Sequence, residues 1–273
     1  MSLDPFRIRD HVAGFDAIVG DILARSAATR QHLRHLAGVP YGDAPAETLD
    51  IFFPPEPHAG ALPVHIFIHG GYWRMFSKED YSCVADTITA AGAIAVVVDY
   101  ALMPSVRMAT IVDQVRRAKR WVIANIAAHG GDPARLTISG HSAGAHLATF
   151  LFNEGGGPSG VKAALLLGGL YDLAPLQSSF LQAEIGLTDA EVASFTPLGH
   201  RHDPATSATV LVGADETPPF HAQADAFAAL LREQGLAVTR HAIAGRNHMD
   251  SVRDLGVPDS EAGTALASLI RAA

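Results

Sequence analysis

The sequence predicts an α/β fold in which helices cover both faces of a mostly parallel sheet. Short apolar runs typical of buried strands alternate along the chain with longer segments of helical periodicity. These runs are apolar throughout instead of alternating with polar residues, as expected for strands buried on both faces. No Pro-, Ser- or Gly-rich stretch among the 273 residues is long enough to be a linker. We therefore expect a single domain over 1–273.

The chain opens with a helical pattern and then changes to strand patterns. Apolar residues recur at helical spacing from about Arg9 to Leu36, which predicts an N-terminal helix within 1–36 and makes this segment a candidate lid. The β-rich or continuously apolar runs that follow predict strands at Thr48–Phe53, Val64–Ile68, Ala93–Asp99, Leu136–Ser139, Ala163–Leu167, Thr209–Val212 and Ala237–Ile243.

Helical patterns lie between and after these strands. They predict helices at Val106–Ala128, Ala143–Phe152, Pro219–Gln234 and Glu261–Arg271. The irregular stretch 170–206 contains one short helix, Thr188–Phe195, in which Thr188 is the N-cap and Glu191 stands three residues later. We expect 170–206 and the N-terminal helix to form a small cap over the carboxyl ends of the strands, where such folds hold their catalytic groups.

Charge and composition exclude several classes of protein. The formal net charge of −8 and the scattered basic residues argue against a nucleic-acid partner. Apolar runs such as Ala93–Val98 are far shorter than the ~20 residues that span a bilayer. The charged N-terminus, with Asp4 and Arg7, lacks the apolar region of a signal peptide. A single cysteine, Cys83, fits a reducing compartment, so we expect a cytoplasmic protein without a membrane partner.

The sharpest chemical signal is the pentapeptide Gly140–Gly144, which reads Gly-His-Ser-Ala-Gly. It follows a predicted strand and opens a predicted helix, which is the context of a G-x-S-x-G nucleophile elbow. The turn holds the serine in a strained conformation above the sheet, and the two glycines avoid side-chain clashes. Ser142 is therefore the predicted nucleophile.

A serine hydroxyl needs a base, and the base needs an acid to orient it. In this type of fold the chain order is serine, acid, histidine. His248 follows the last predicted strand and is the candidate base. Asp215 follows the strand before it, and we favour Asp215 as the acid for that reason, with Glu216 and Asp172 as rivals.

A second glycine-rich loop follows the strand Val64–Ile68. It reads His69-Gly70-Gly71-Tyr72-Trp73, and its paired glycines allow backbone N–H groups to turn toward the site. Together with the N–H of Ala143, those of Gly70 and Gly71 are the predicted oxyanion hole. His69 is expected to orient this loop.

Several aromatic and apolar residues flank these motifs. Candidates to line a substrate pocket are Tyr72, Trp73, Tyr171, Phe220 and Met249, with core packing as the alternative for each. Arg74 is a candidate to meet a substrate carboxylate, or an exposed structural arginine. The cluster His200, His202 and Asp203 lacks a known metal-binding framework, so we expect neither a metal nor a cofactor.

These motifs resemble those of the α/β-hydrolases with an HGGxW-type oxyanion loop, which include arylformamidases and related carboxylesterases. The resemblance runs from about Tyr41 to the C-terminal helix and rests on the segments 69–73, 140–144, 171–173, 213–218 and 247–248. It implies an eight-stranded α/β-hydrolase sheet and hydrolysis of an N-formyl-kynurenine type substrate. A general short-chain carboxylesterase is the alternative within this class. A non-catalytic binding protein of the same fold is the alternative from another class.

Overall fold

The computed structural model describes residues 3–55, 60–153 and 158–273. Within these residues, eight strands form one sheet in the order β1-β2-β4-β3-β5-β6-β7-β8. The strands are β1 His35–Pro40, β2 Thr48–Phe52, β3 Leu62–Ile68, β4 Ile94–Val98, β5 Gly131–His141, β6 Val161–Leu167, β7 Ser207–Gly213 and β8 Val238–Ile243. The predicted α/β-hydrolase sheet is confirmed.

The central strands run parallel from β4 through β3, β5, β6 and β7 to β8, whereas β2 pairs antiparallel with both of its neighbours, β1 and β4. Every residue of β4 is buried, as are the last residues of β3, β5 and β6. Burial on both faces explains why these runs are continuously apolar. Their carboxyl ends meet at one edge of the sheet, and that edge carries the predicted site.

Helices cover both faces. They are α1 Phe15–His32, α2 Val84–Ala90, α3 Met108–Asn125, α4 Ala143–Thr149, α5 Leu181–Ile185, α6 Asp189–Phe195, α7 Pro218–Glu233, α8 His248–Leu255 and α9 Glu261–Arg271. The predicted capping box of α6 is present: the N–H of Glu191 donates to the Thr188 hydroxyl, and the Glu191 carboxylate accepts from the N–H of Thr188. Helix α9 has the predicted bounds.

The first strand is not predicted from the sequence, and its first two residues lie at the end of the predicted helical region. The helix itself ends at His32. Leu36 in β1 is exposed because β1 is an edge strand with one antiparallel neighbour. A mostly exposed edge strand lacks the apolar signature that identifies a strand from sequence.

Candidate active site

Ser142 occupies the turn between β5 and α4. Its backbone has φ 56° and ψ −119°, in the left-handed half of conformational space that a serine adopts at a cost. A Cβ on Gly140 would lie 2.2 Å from the carbonyl oxygen of Gly144, and a Cβ on Gly144 would lie 2.1 Å from that of Ile68. The Ser142 N–H donates to the Leu167 carbonyl of β6 at 2.8 Å. The elbow thus packs closely against the end of β3 on one side and is hydrogen-bonded to the end of β6 on the other.

His248 is the first residue of α8, directly after β8. The Asn247 side chain caps this helix by accepting from the N–H groups of Met249 and Asp250. His248 Nδ1 lies 2.6 Å from Glu216 Oε2, and both side chains are buried. Because Nδ1 is bound by the carboxylate, Nε2 is the nitrogen available to a serine hydroxyl.

The carboxylate that contacts His248 is therefore Glu216, whereas the sequence favoured Asp215 for this position. Asp215 is exposed, whereas Glu216 is buried. The second carboxylate oxygen of Glu216 accepts from the N–H of Gly213, the last residue of β7, at 2.8 Å. The N–H of Glu216 donates to the Gly213 carbonyl at 3.1 Å, so a tight turn delivers the third residue after the strand. Sequence position alone does not distinguish two adjacent carboxylates, since the turn decides which one points inward.

The third candidate acid, Asp172, serves a local turn. Its carboxylate accepts from the N–H of Ala174 at 3.0 Å, and its own N–H donates to the Gln223 side chain. Those contacts belong to the beginning of the 170–206 segment.

Two residues that the sequence analysis did not single out complete the surroundings of His248. The His141 ring lies 4.5 Å from the His248 ring, and its Nε2 lies 3.0 Å from the His248 carbonyl oxygen. Burial lowers the pKa of His141 well below its usual value, with the His248 imidazole as a second cause, so this ring is neutral. A Cβ on Gly168 would lie 3.0 Å from the His248 ring. His141 could have been identified from the sequence, because it directly precedes the predicted nucleophile Ser142.

The loop after β3 lies against the elbow. A Cβ on Gly70 would lie 3.2 Å from the Ser142 Cβ, so the loop backbone passes next to the nucleophile. His69 is buried, and its Nδ1 lies 2.8 Å from the Gly70 carbonyl oxygen. The Tyr100 hydroxyl donates to the His69 carbonyl at 2.9 Å. His69 thus orients the loop, as expected.

The predicted oxyanion donors lie on two sides of Ser142. Gly70 and Gly71 belong to this loop, and Ala143 is the first residue of α4. Gly71 adopts φ 110°, and a Cβ there would lie 2.3 Å from the Met75 carbonyl oxygen, so only glycine fits. Their role in binding an oxyanion stays a prediction.

Of the five predicted pocket residues, Tyr72 is half-buried and lines a cavity of about 210 Å³. This cavity is bounded by Arg7, Arg9, Phe15, Tyr72, Arg74, Met75, Phe180 and Glu184. Arg74 Nη1 lies 2.9 Å from Glu184 Oε2 within it, so Arg74 already has a carboxylate partner.

Trp73 and Tyr171 are core residues, which corrects their assignment to the pocket. Neither has exposed surface. The Trp73 indole N–H donates to His146 Nδ1 at 3.2 Å, and the Tyr171 ring stacks on Phe227 at 4.2 Å. For these two residues the core-packing alternative is correct. Large aromatic side chains carry the same sequence signal in a core and in a pocket.

Phe220 and Met249 are also buried but lie close to the site. The Phe220 ring packs 4.7 Å from the His248 ring. Met249 follows His248 in sequence, and its side chain lines a small space together with Ile22 of α1, Phe76 and Tyr81. Phe220 therefore packs directly against His248, while Met249 faces α1.

The polar side chains of the segment 200–203 form hydrogen bonds with other residues of the protein. His202 Nδ1 lies 3.3 Å from the Gln234 side-chain oxygen, and Asp203 accepts from the N–H of Ser159. Across residues 3–55, 60–153 and 158–273, no group of three or more His, Cys, Asp or Glu side chains is arranged to hold a metal ion. Over the same ranges, no helix has the length and apolar character needed to cross a membrane.

The sequence is similar to those of a known protein family. The family profile described as alpha/beta hydrolase fold matches residues 65–250, which include the elbow, the oxyanion loop, Glu216 and His248. The chain belongs to the α/β-hydrolase family. It is a hydrolase, as the sequence predicts.

Curated relatives of this family member cover most of its length. Kynurenine formamidase from Danio rerio is 29% identical over 93% of this chain and 89% of its own. That from Salmo salar is 32% identical over 81% of this chain and 76% of its own. Esterase LipQ from Mycobacterium tuberculosis is 30% identical over 78% of this chain and 56% of its own.

A solved structure supports the fold over the whole chain. The crystal structure of a thioesterase candidate from Silicibacter sp. superposes with a TM-score of 0.85 at 23% identity, and the alignment covers 99% of both chains. At that identity the likeness is one of fold.

Proposed function

We propose that this hydrolase cleaves its substrate through an acyl-enzyme on Ser142. The observation that carries the proposal is the 2.6 Å contact between His248 Nδ1 and Glu216 Oε2 beside a strained serine elbow. A buried carboxylate that fixes one imidazole nitrogen leaves the other to accept a proton, which is the arrangement of a Ser-His-acid triad. Each proposed step uses this chain's own residues.

In the first step the Ser142 oxygen attacks the carbonyl carbon of the substrate while His248 takes the hydroxyl proton. Glu216 holds the imidazole in the required tautomer and stabilises the imidazolium. The tetrahedral intermediate then collapses, and His248 gives its proton to the leaving group. Water then attacks the acyl carbon while His248 takes one of its protons, and His248 gives that proton to the Ser142 oxygen as the bond between Ser142 and the acyl group breaks.

The negative oxygen of the intermediate requires donors that are already in position. The backbone N–H groups of Gly70, Gly71 and Ala143 are the proposed donors, supported by the close approach of Gly70 to Ser142 and by Ala143 at the first position of α4. The end of a helix where N–H groups are unpaired favours negative charge. One such donor is worth ~3 kcal/mol of transition-state stabilisation.

The substrate is proposed to be a small aryl formamide of the N-formyl-kynurenine type. The support is the pair of kynurenine formamidases that cover most of this chain, together with the loop segment Tyr72-Trp73. A general short-chain esterase is the second candidate, supported by the likeness to esterase LipQ. The cytoplasmic location stays a prediction from the sequence.

Two measurements test the proposal. An organophosphonate is expected to add to Ser142 and not to the Ser142→Ala variant, as read by mass spectrometry of the intact protein and its peptides. The ratio of kcat/KM for N-formyl-kynurenine to that for p-nitrophenyl acetate then separates the two substrate classes. A ratio well above one supports the formamidase, and a ratio below one supports the esterase. Absence of both labelling and turnover would contradict the proposed acyl-enzyme on Ser142.

A further inference from the structure

The segment Asp4–Asp10, here called the N-terminal strap, lies across the candidate active site. The Tyr72 hydroxyl donates to the Phe6 carbonyl at 2.7 Å and accepts from the Ile8 N–H at 3.0 Å. The Thr217 hydroxyl, next to Glu216, donates to the Pro5 carbonyl at 2.7 Å. The strap is thus tied to both the oxyanion loop and the acid loop.

A third contact ties the strap to the 170–206 segment. The Asp4 carboxylate accepts from the Phe180 N–H at 2.5 Å, and the Arg7 guanidinium lies 4.7 Å over the Phe180 ring. The strap therefore contacts three segments that are separate in sequence: the 69–73 loop, the loop that carries Glu216, and the 170–206 segment. Ser142 and His248 are each only 3% exposed beneath them.

One strap side chain reaches toward the chemistry through an aromatic layer. The Phe6 ring lies 6.0 Å from the Phe220 ring, which lies 4.7 Å from the His248 ring. Phe6 is only 5% exposed. A continuous layer of three rings runs from the strap to the base.

Cavities border the strap on two sides. Arg7 and Arg9 line the cavity of about 210 Å³ that contains Tyr72. Phe6 lines another of about 310 Å³, which is mostly apolar and includes Pro175 and Leu198. The Phe6 side chain therefore has room beside it, and its removal would enlarge a space that is already present.

The chemistry indicates which part of a substrate would meet this layer. His248 must give its proton to the leaving group, so the leaving group lies beside the His248 ring when the first bond breaks. Phe220 borders that ring, and Phe6 lies beyond Phe220. A leaving group that extended from His248 past Phe220 would approach Phe6, whereas the acyl group stays on Ser142.

We propose that Phe6 is a specificity-determining residue which forms the far wall of the leaving-group pocket, with the N-terminal strap holding it in place. This inference rests on the proposed function, since it assumes acyl transfer to Ser142. It assigns the strap control over the size of the leaving group and no control over the acyl group. The strap thereby becomes part of the site although it is remote from it in sequence.

The test compares two substrate series in the wild-type protein and in Phe6→Ala. Phenyl and 2-naphthyl acetate differ in leaving-group size at similar leaving-group acidity, while p-nitrophenyl acetate and butyrate differ in the acyl group. In Phe6→Ala the naphthyl-to-phenyl ratio of kcat/KM is expected to rise about tenfold. The butyrate-to-acetate ratio is expected to change by less than about twofold.

Two further variants serve as control and support. Phe53→Ala removes a similarly buried phenylalanine, 6% exposed, which directly follows β2, the strand next to the edge strand β1, and should leave both ratios unchanged. Asp4→Ala breaks the tie to Phe180 and should move the naphthyl-to-phenyl ratio in the same direction as Phe6→Ala, by a smaller factor.

The same comparison can be made without turnover. The rate of Ser142 labelling by phosphonates with phenyl or 2-naphthyl leaving groups should show the same change in ratio in Phe6→Ala. An unchanged or lower naphthyl-to-phenyl ratio, or an equal shift in the acyl series, overturns the role of Phe6 while leaving the proposed function intact. Failure of Ser142 to react with any phosphonate overturns the proposed function itself.

Discussion

The floor and the cover of the candidate site are held by different kinds of contact. The floor, formed by 140–144, Glu216 and His248, is held largely by backbone geometry at the ends of parallel strands, as in the Ser142 N–H to Leu167 contact. The cover, formed by the N-terminal strap and the 170–206 segment, is held in large part by single side chains, such as Asp4 of the strap and Tyr72 of the 69–73 loop. Backbone contacts in a sheet are much less sensitive to sequence than side-chain contacts. The difference suggests that the floor carries the reaction and the cover selects what is cleaved.

Removing the nucleophile should give the largest effect. Ser142→Ala leaves the elbow glycines in place, so the fold should persist, but no acyl-enzyme can form. Loss of a triad serine costs ~10⁴ to 10⁶ in kcat. Steady-state kinetics with phenyl acetate measure the loss in kcat, and a circular-dichroism melt shows whether the fold persists. If Ser142→Ala kept a tenth of the wild-type rate, the floor would not carry the reaction.

The two adjacent carboxylates give the next largest difference. Glu216→Gln removes the charge that faces His248 Nδ1 and should lower kcat by about 10⁴, because the amide favours the wrong imidazole tautomer. Asp215→Asn changes an exposed neighbour and should leave kcat within about threefold of wild type, as surface changes usually do. Measured kcat values for the pair decide the assignment. A larger loss in Asp215→Asn would restore the acid that the sequence favours.

Trp73 tests whether the loop aromatic supports the floor or contacts substrate. Trp73 has no exposed surface, and its indole N–H donates to His146. Trp73→Ala should therefore lower the free energy of unfolding by ~3–5 kcal/mol. Trp121→Ala removes a half-buried tryptophan and is expected to cost much less. Urea titrations of Trp73→Ala and Trp121→Ala measure the free energy of unfolding of each variant. A Trp73→Ala protein of normal stability with a raised KM for aryl substrates would place Trp73 in the pocket after all.

Acid should weaken the interior through buried histidines. Burial lowers the pKa of His65 to about 3 and those of His146 and His202 to about 4. The unfolded chain takes up these protons near pH 6.5 while the folded chain does not, so stability falls as pH drops from about 6.5 toward 4. Each group contributes up to ~1.4 kcal/mol per pH unit in that range. Urea midpoints at pH 7.5 and 5.0 measure the loss, and equal midpoints would contradict the burial of these rings.

The smallest expected effect lies in the cover. Phe180→Ala removes an edge contact to Tyr72 at 5.3 Å and the ring beneath Arg7, both beside the 210 Å³ cavity. We expect KM for aryl substrates to change by about 2- to 5-fold and kcat by less than about 2-fold, as for a lost contact in uniform binding. Initial-rate kinetics on phenyl acetate check this. A fall in kcat with unchanged KM would make Phe180 part of the floor.

The sequence alone predicted seven of the eight described strands, the elbow at Ser142, the loop at 69–73 and His248 as the candidate base. These follow from local signals: continuous apolar runs, glycines where a turn needs them, and a fixed chain order of catalytic groups. The capping box at Thr188 and Glu191 is equally local and was correctly predicted. Such features depend on residues that are neighbours in the chain, so the sequence contains them directly.

Tertiary structure decided the rest. It selects Glu216 over Asp215 because a turn anchored on Gly213 rotates only one of two adjacent side chains toward His248. It assigns Trp73 and Tyr171 to the core because their partners, His146 and Phe227, come from distant parts of the chain. It brings Phe6 to Phe220 across more than 200 residues. Contacts between remote segments depend on packing in three dimensions, and no local pattern in the sequence encodes them.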